Sequence, residues 1–148
     1  MIQKTTTALS VEPSAMNLID VYTRPDRHQV LFDLLKERDD KENISHRELP
    51  EWWQHVQFVD KRPYQVWDFI EVDGEIVGAC YITKHDEIGI FIFKKHQGQG
   101  YGPEAVRLLM FMNGKRNYKA NISPHNERSA AVFSKLGFTH VQNTYELR

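Results

Sequence analysis

Cysteine is almost missing from this chain: Cys80 stands alone among 148 residues. No internal disulfide framework can therefore form, and a reducing, cytoplasmic setting is expected. Long apolar runs are missing as well. Nothing approaches the ~20 apolar residues of a membrane-spanning helix, and the first residues lack the apolar core of a secretory signal. No membrane partner is expected. Nor is there an excess of one charge: 19 Lys and Arg against 20 Asp and Glu leave a formal net charge of -1. Such a chain has no global field for polyanions, so any anion site must be a local patch. No basic stripe with interleaved aromatic residues argues for nucleic-acid binding, and no Cys/His spacing argues for a metal. Internal repeats and low-complexity linkers are absent too.

What remains is one ordinary globular domain, long enough to bury a single sizeable core. Residues 1–16 are polar and aperiodic and read as a loose arm before a domain spanning 17–148. Residues 17–23 read as a first strand. Residues 25–40 read as a helix carrying Leu31, Leu34 and Leu35 at helical spacing, with Pro25 suited to its first turn. A polar loop leads to a second short helix over 50–62, with Trp52, Val56 and Val59 on one face. The period then changes to that of strands. Residues 64–83 are two strands around the Asp73-Gly74 turn, a strong hairpin signal, and Cys80 reads as a buried apolar residue in the second of them. The tight turn "TKHD" leads to a third hydrophobic run, "IGIFIF", whose unbroken apolar character predicts burial on both faces. A helix over 103–115 should point Val106, Leu109 and Met112 inward and stop near Gly114. Residues 117–123 read as a strand. Residues 126–138 read as a helix with Ser129, Val132, Phe133 and Leu136 on one stripe, and residues 138–148 as one or two closing strands. The predicted order, β-α-α-β-β-β-α-β-α-β, describes an α/β (α+β) mixed sheet with helices on both faces.

The stretch "HQGQGYGPEAV", from His96, removes the side chain at every second residue through Gly98, Gly100 and Gly102. Glycines between a strand and a helix let backbone N–H groups approach a phosphate, and the helix N-terminus adds roughly half a positive charge. A P-loop needs Lys and then Ser or Thr after the last glycine, whereas Pro103 and Glu104 follow here. A dinucleotide fingerprint needs G-x-G-x-x-G in a βαβ unit, whereas the spacing here is G-x-G-x-G after the third strand of a meander.

The third pattern, Q/R-x-x-G-x-G/A, is matched by Gln97, Gly100 and Gly102. Together with Asn126, Ser129, Gly137 and Phe138 in the later helix and with the element order, it resembles the GNAT family of acetyl-CoA-dependent N-acetyltransferases over residues 17–148. The resemblance implies a fourth and fifth strand splayed into a wedge. Acetyl-CoA (coenzyme A) would enter it, with the pantetheine arm along Ile90, Phe91 and Ile92 and the pyrophosphate in the loop of Gln97, Gly98, Gln99, Gly100, Tyr101 and Gly102. It also implies that Asn126 bonds the same arm, beside its ordinary reading as a helix N-cap; Ser129 and Phe133 lie further along that helix. Lys94, Lys95 and His96 are candidates for the 3′-phosphate or, equally, solvated surface groups, and Lys135 is a similar candidate that reads more readily as solvent-facing. No metal is implied.

Acetyl transfer to an amine requires a neutral amine, a polarised carbonyl and a stabilised or protonated leaving thiolate. By the resemblance, a carboxylate at the fourth strand takes the amine proton, a place that Glu87 fills. Many members protonate the thiol with a Tyr seven residues after the motif Asn, where this chain has Phe133. Tyr145, Tyr101 and Ser129 are possible substitutes. The acceptor site is expected near the first two helices, where His46 and Trp52 are the candidate binding residues. The implied activity is acetylation of a small-molecule primary amine, such as an amino-sugar, a nucleotide-linked amino-sugar or a polyamine, by direct attack in a ternary complex. Acetylation of a protein N-terminus or lysine, and a non-catalytic acyl-CoA-binding module, are the alternatives. A monomer or homodimer is expected.

Overall fold

The computed structural model describes residues 15–38 and 48–148; the N-terminal arm and His46 lie outside them, apart from the arm's last two residues. Strand β1 (Met16–Asp20) is followed by a 3-10 turn, Val21–Thr23, and helices α1 (Arg27–Lys36) and α2 (Trp52–Asp60). Strands β2 (Val66–Val72), β3 (Glu75–Ile82) and β4 (Ile88–Ile92) come next, then a 3-10 turn at Lys94–His96, helix α3 (Tyr101–Asn113) and helix α4 (Glu127–Lys135). The four strands form one sheet in the order β1-β2-β3-β4, every pair antiparallel.

The predicted hairpin forms where Asp73 and Gly74 take left-handed backbone, φ 50° and 84°, as a primed two-residue turn requires. The strand expected over 17–23 ends at Asp20, because the Asp20 carboxylate accepts the Tyr22 amide and starts the 3-10 turn instead.

Alternation along the strands divides the core into two layers. On one face Ile70, Cys80, Ile82 and Ile88 pack with Val106 and Leu109 of α3 and Phe133 of α4. On the other, Phe69 and Ala79 pack with Val21, with Leu31 and Leu34 of α1 and with Val59 of α2. Helices therefore cover both faces, and Cys80 is fully buried. At Gly78 β3 and β4 approach closely: a side chain there would overlap the Phe91 carbonyl.

Several expectations need correction. Strand β4 is not buried on both faces: only Ile88 is buried and the other residues are half-buried, because no strand continues along its outer edge among the described residues. Residues 117–123 form no strand but a single parallel bridge, Glu87 to Lys119, after which the segment leaves β4. Residues 138–148 form no strand either: with no neighbouring strand to pair with, Val141, Tyr145 and Leu147 stay exposed. In α3 the buried stripe runs through Ala105, Val106 and Leu109, and Met112, three residues beyond Leu109, turns to solvent. In α2 His55 and Val59 face inward; Trp52 is exposed.

Candidate active site

The parity of β4 decides what its outer edge presents. Thr83 donates its amide to the Glu87 carbonyl and Phe93 donates to the Val77 carbonyl. The backbone groups of Gly89 and Phe91 therefore turn toward β3, at Tyr81 and Ala79. Those of Ile88, Ile90 and Ile92 turn outward. The Ile88 amide donates to the Lys119 carbonyl at 2.7 Å; beyond that bond no strand pairs with Ile90 and Ile92 among the described residues, and of their outward groups the Ile92 carbonyl is met by the Gln97 side chain. The wedge expected between a fourth and a fifth strand thus lies between β4 and a segment that forms no strand, closed at one end by the Ile88–Lys119 bond.

The open part is a groove of about 250 Å³ bordered by Ile90, Phe91 and Ile92 of β4, by Gln97, Gly98, Gly100, Tyr101 and Gly102 of the loop, and by Asn126, Ser129 and Val132 of α4. Gly98 and Gly100 both have φ 82°, a conformation costly for residues with a Cβ, and Gly100 is the N-cap of α3 with no side chain covering the helix end. The free N–H groups of the first turn of α3 therefore face an approaching anion. Gln97 anchors the loop by donating its Nε2 hydrogen to the outward carbonyl of Ile92 at 3.1 Å. Gly102 lies in the first turn of α3, where a Cβ would only touch Val132 and Ile90 at ordinary distances.

The predicted cofactor residues are thus largely brought together, with two exceptions. Gln99 does not border the groove; it is exposed and accepts the Tyr101 hydroxyl at 3.2 Å. Phe133 lies in the core, edge-on to Phe138 at 5.0 Å, because the α4 stripe that faces the sheet passes through it; Val132 borders the groove instead. Asn126 has both of its expected places: its side chain accepts the Ser129 amide at 3.1 Å as an N-cap and also borders the groove. Among the candidate phosphate cations, Lys95 and His96 are both paired with Glu75, at 3.3 and 3.1 Å, and these bonds hold the Glu75 carboxyl below its usual range. Arg128 also borders the groove, and sequence reading missed it because an exposed Arg in the first turn of a helix carries no distinguishing pattern.

Glu87 sits at the closed end, with both carboxylate oxygens engaged. The Thr83 hydroxyl donates to Oε1 at 3.0 Å and Asn121 Nδ2 donates to Oε2 at 2.8 Å. Asn121 thereby ties the diverging segment to the Glu87 carboxylate, one residue before β4.

On the opposite face, under α1 and α2, a smaller cleft of about 80 Å³ is walled by Phe58, Tyr64, Trp67, Tyr81 and Phe91, with Arg38 at its edge. Phe91 borders both cavities. Tyr64 and Tyr81 stack at 4.0 Å, and the Arg38 guanidinium lies 5.6 Å from the Phe91 ring. His55, rather than the candidate His46, borders this cleft; its Nε2 hydrogen donates to the His28 carbonyl, and burial holds its pKa below the ordinary value, so the ring is neutral at pH 7. Trp52 does not border it. Its ring packs edge-on against Phe32 at 5.2 Å, outside the cleft.

Comparison with known proteins agrees with this geometry. The family model of the acetyltransferase (GNAT) domain matches residues 15–139. No curated protein sequence matches the chain. Among solved structures, a domain from Methanocaldococcus jannaschii DSM 2661 is similar at 21% identity and a TM-score of 0.73, over 90% of this chain and 94% of that one. Aminoglycoside N-acetyltransferase AAC(6')-Iy, in complex with coenzyme A, is similar at 18% identity and a TM-score of 0.64, over 93% and 96%. RimL, a ribosomal alpha-N-protein acetyltransferase in complex with coenzyme A, is similar at 20% identity and a TM-score of 0.65, over 87% and 82%.

Proposed function

The chain belongs to the GNAT acetyltransferase family, and on that premise we propose that it transfers an acetyl group from acetyl-CoA to the primary amine of a small molecule. The observation that carries this reading is the open β4 edge running into a glycine loop at a helix N-terminus. Amides at Gly98, Gly100 and the first turn of α3 suit a pyrophosphate. The outward amide and carbonyl of Ile90 and the outward amide of Ile92 suit the amide groups of the pantetheine arm, as a strand neighbour would, and Asn126 supplies a further polar contact. Arg128, which borders the groove, is the cation best placed for a terminal phosphate. Running back from the loop, the arm ends where the Ile88–Lys119 bond closes the groove, so the thioester lies beside Gly89, next to Glu87.

There Glu87 takes the proton of the attacking amine, directly or through a water, and Thr83 and Asn121 hold its carboxylate in place. An outward β4 amide polarises the thioester carbonyl. Attack is direct within a ternary complex: Cys80 is fully buried, and burial pushes its thiol pKa well up, so it is not a nucleophile. The amine arrives from the aromatic cleft, whose size favours a small acceptor such as an amino-sugar, a nucleotide-linked amino-sugar or a polyamine. The lone buried thiol fits a cytoplasmic protein.

Thiol release from acetyl-CoA, measured with glucosamine, spermidine and a peptide bearing a free N-terminus, tests the reading. Turnover with a small amine is the expected result. Turnover with the peptide alone makes the chain a protein acetyltransferase, and tight coenzyme A binding without turnover makes it a binding module. Glu87→Gln should lower kcat/KM by roughly 10²-fold or more, most strongly at low pH, where the amine needs help in losing its proton. An unchanged pH–rate profile removes Glu87 from the mechanism.

A further inference from the structure

The reaction needs a proton for the leaving thiolate, and the three substitutes legible in the sequence do not supply one well. Tyr145 is 89% exposed in the last residues of the chain. The Tyr101 hydroxyl donates to Gln99 at the loop end of the groove, away from the closed end. Ser129 is in the first turns of α4, beside Asn126.

A different tyrosine reaches the closed end from the opposite face, where it walls the aromatic cleft. Tyr81 pairs with Gly89 across β3 and β4, and its ring and hydroxyl lie directly over that glycine, so that any side chain at residue 89 would overlap them. Gly89 immediately precedes Ile90, the first residue of the free edge, and follows Ile88, whose bond to Lys119 stops the groove. The hydroxyl therefore sits across one glycine from the place where an acyl arm must end. Its ring is fixed by the stack on Tyr64 and by Phe91 at 6.4 Å.

We propose that Tyr81 is the catalytic proton donor of this enzyme, placed on β3 instead of on α4 and admitted to the thioester by the missing side chain of Gly89. This rests on the acetyl-transfer reading above. In the step, the amine nitrogen bonds to the carbonyl carbon and the carbon–sulfur bond breaks with its electron pair going to sulfur. The Tyr81 O–H proton passes to that thiolate, giving the free thiol. The tyrosinate left behind recovers a proton through solvent from the one that Glu87 removed from the amine, so no net proton is gained or lost. The surroundings suit this cycle. Burial keeps Tyr81 protonated through the neutral range, while a Tyr64 hydrogen bond and the Arg38 charge favour the transient tyrosinate. Glu87 is close enough for its charge to be felt at Tyr81.

Tyr81→Phe keeps the ring and its stack and removes only the hydroxyl. With the amine that wild type turns over best, kcat should fall roughly 10²-fold or more, while coenzyme A affinity by calorimetry and KM for the amine change less than threefold. The wild-type kcat should decline at alkaline pH as Tyr81 ionises, with a tyrosinate absorbance change on the same midpoint; both should vanish in the variant. Tyr64→Phe should move that midpoint upward with a smaller loss of kcat. A kcat within threefold of wild type, an alkaline limb that survives, or a loss confined to KM would overturn the assignment while leaving the acetyltransferase reading intact. Absence of thiol release by the wild type with every amine would instead remove that reading and the assignment with it.

Discussion

At the scale of single residues, the most unfavourable placement is a carboxylate. Asp68 of β2 faces Asp20 of β1 and Cys80 of β3 across the sheet. Burial first, and the Asp20 charge second, raise its pKa from 3.8 to about 6. The protonated form is favoured in the folded state, so the fold is penalised above pH 6, where Asp68 is ionised both folded and unfolded. The penalty is absent below pH 4, where it is protonated in both. Asp68→Asn should therefore raise Tm at pH 7 and have progressively less effect as pH falls from about 6 to about 4, followed by thermal melts across that range; a pH-independent shift would show that ionisation is not the cause. Sequence reading was strongest where one residue type has one physical use. Gly98 and Gly100 were legible because only glycine takes their backbone angles cheaply. Tyr81 was passed over, although Gly89 inside "EIGIFIF" carried the signal: a lone glycine in a strand marks a close approach by another group. Trp52 is a candidate because an aromatic ring can stack on a sugar or hold a cation, which says nothing of which way a ring on the first turn of a helix will point.

At the scale of elements, the hairpin and the four helices were legible from periodicity because each buries a stripe against the sheet. The strands expected over 117–123 and 138–148 do not form, because a strand exists only with a partner and beyond Lys119 no pairing with β4 continues. The loop and α3 act as one unit: Gly100 ends the loop and starts the helix at φ 82°. Gly100→Val should cost about 1–3 kcal/mol of backbone strain and close off the amides, raising the Kd for coenzyme A at least tenfold while the far-ultraviolet circular dichroism stays native. Normal binding by a folded variant would show that the pyrophosphate sits elsewhere.

For the whole molecule, one sheet serves two apolar layers, so neither layer can be lost alone. Leu109→Ala, in the layer under α3, should cost about 2–5 kcal/mol. It should lower a single unfolding midpoint shared by far-ultraviolet signal and by the fluorescence of Trp67, on the opposite layer; two separated midpoints would mean that the layers fold independently. The half-open fourth strand has a consequence of its own. Its alternate amides live in different environments, so deuterium uptake along β4 should be odd-even. Gly89 and Phe91, sealed against β3, exchange slowly at all times. Ile90 and Ile92 exchange fast until coenzyme A arrives, and then fall silent together.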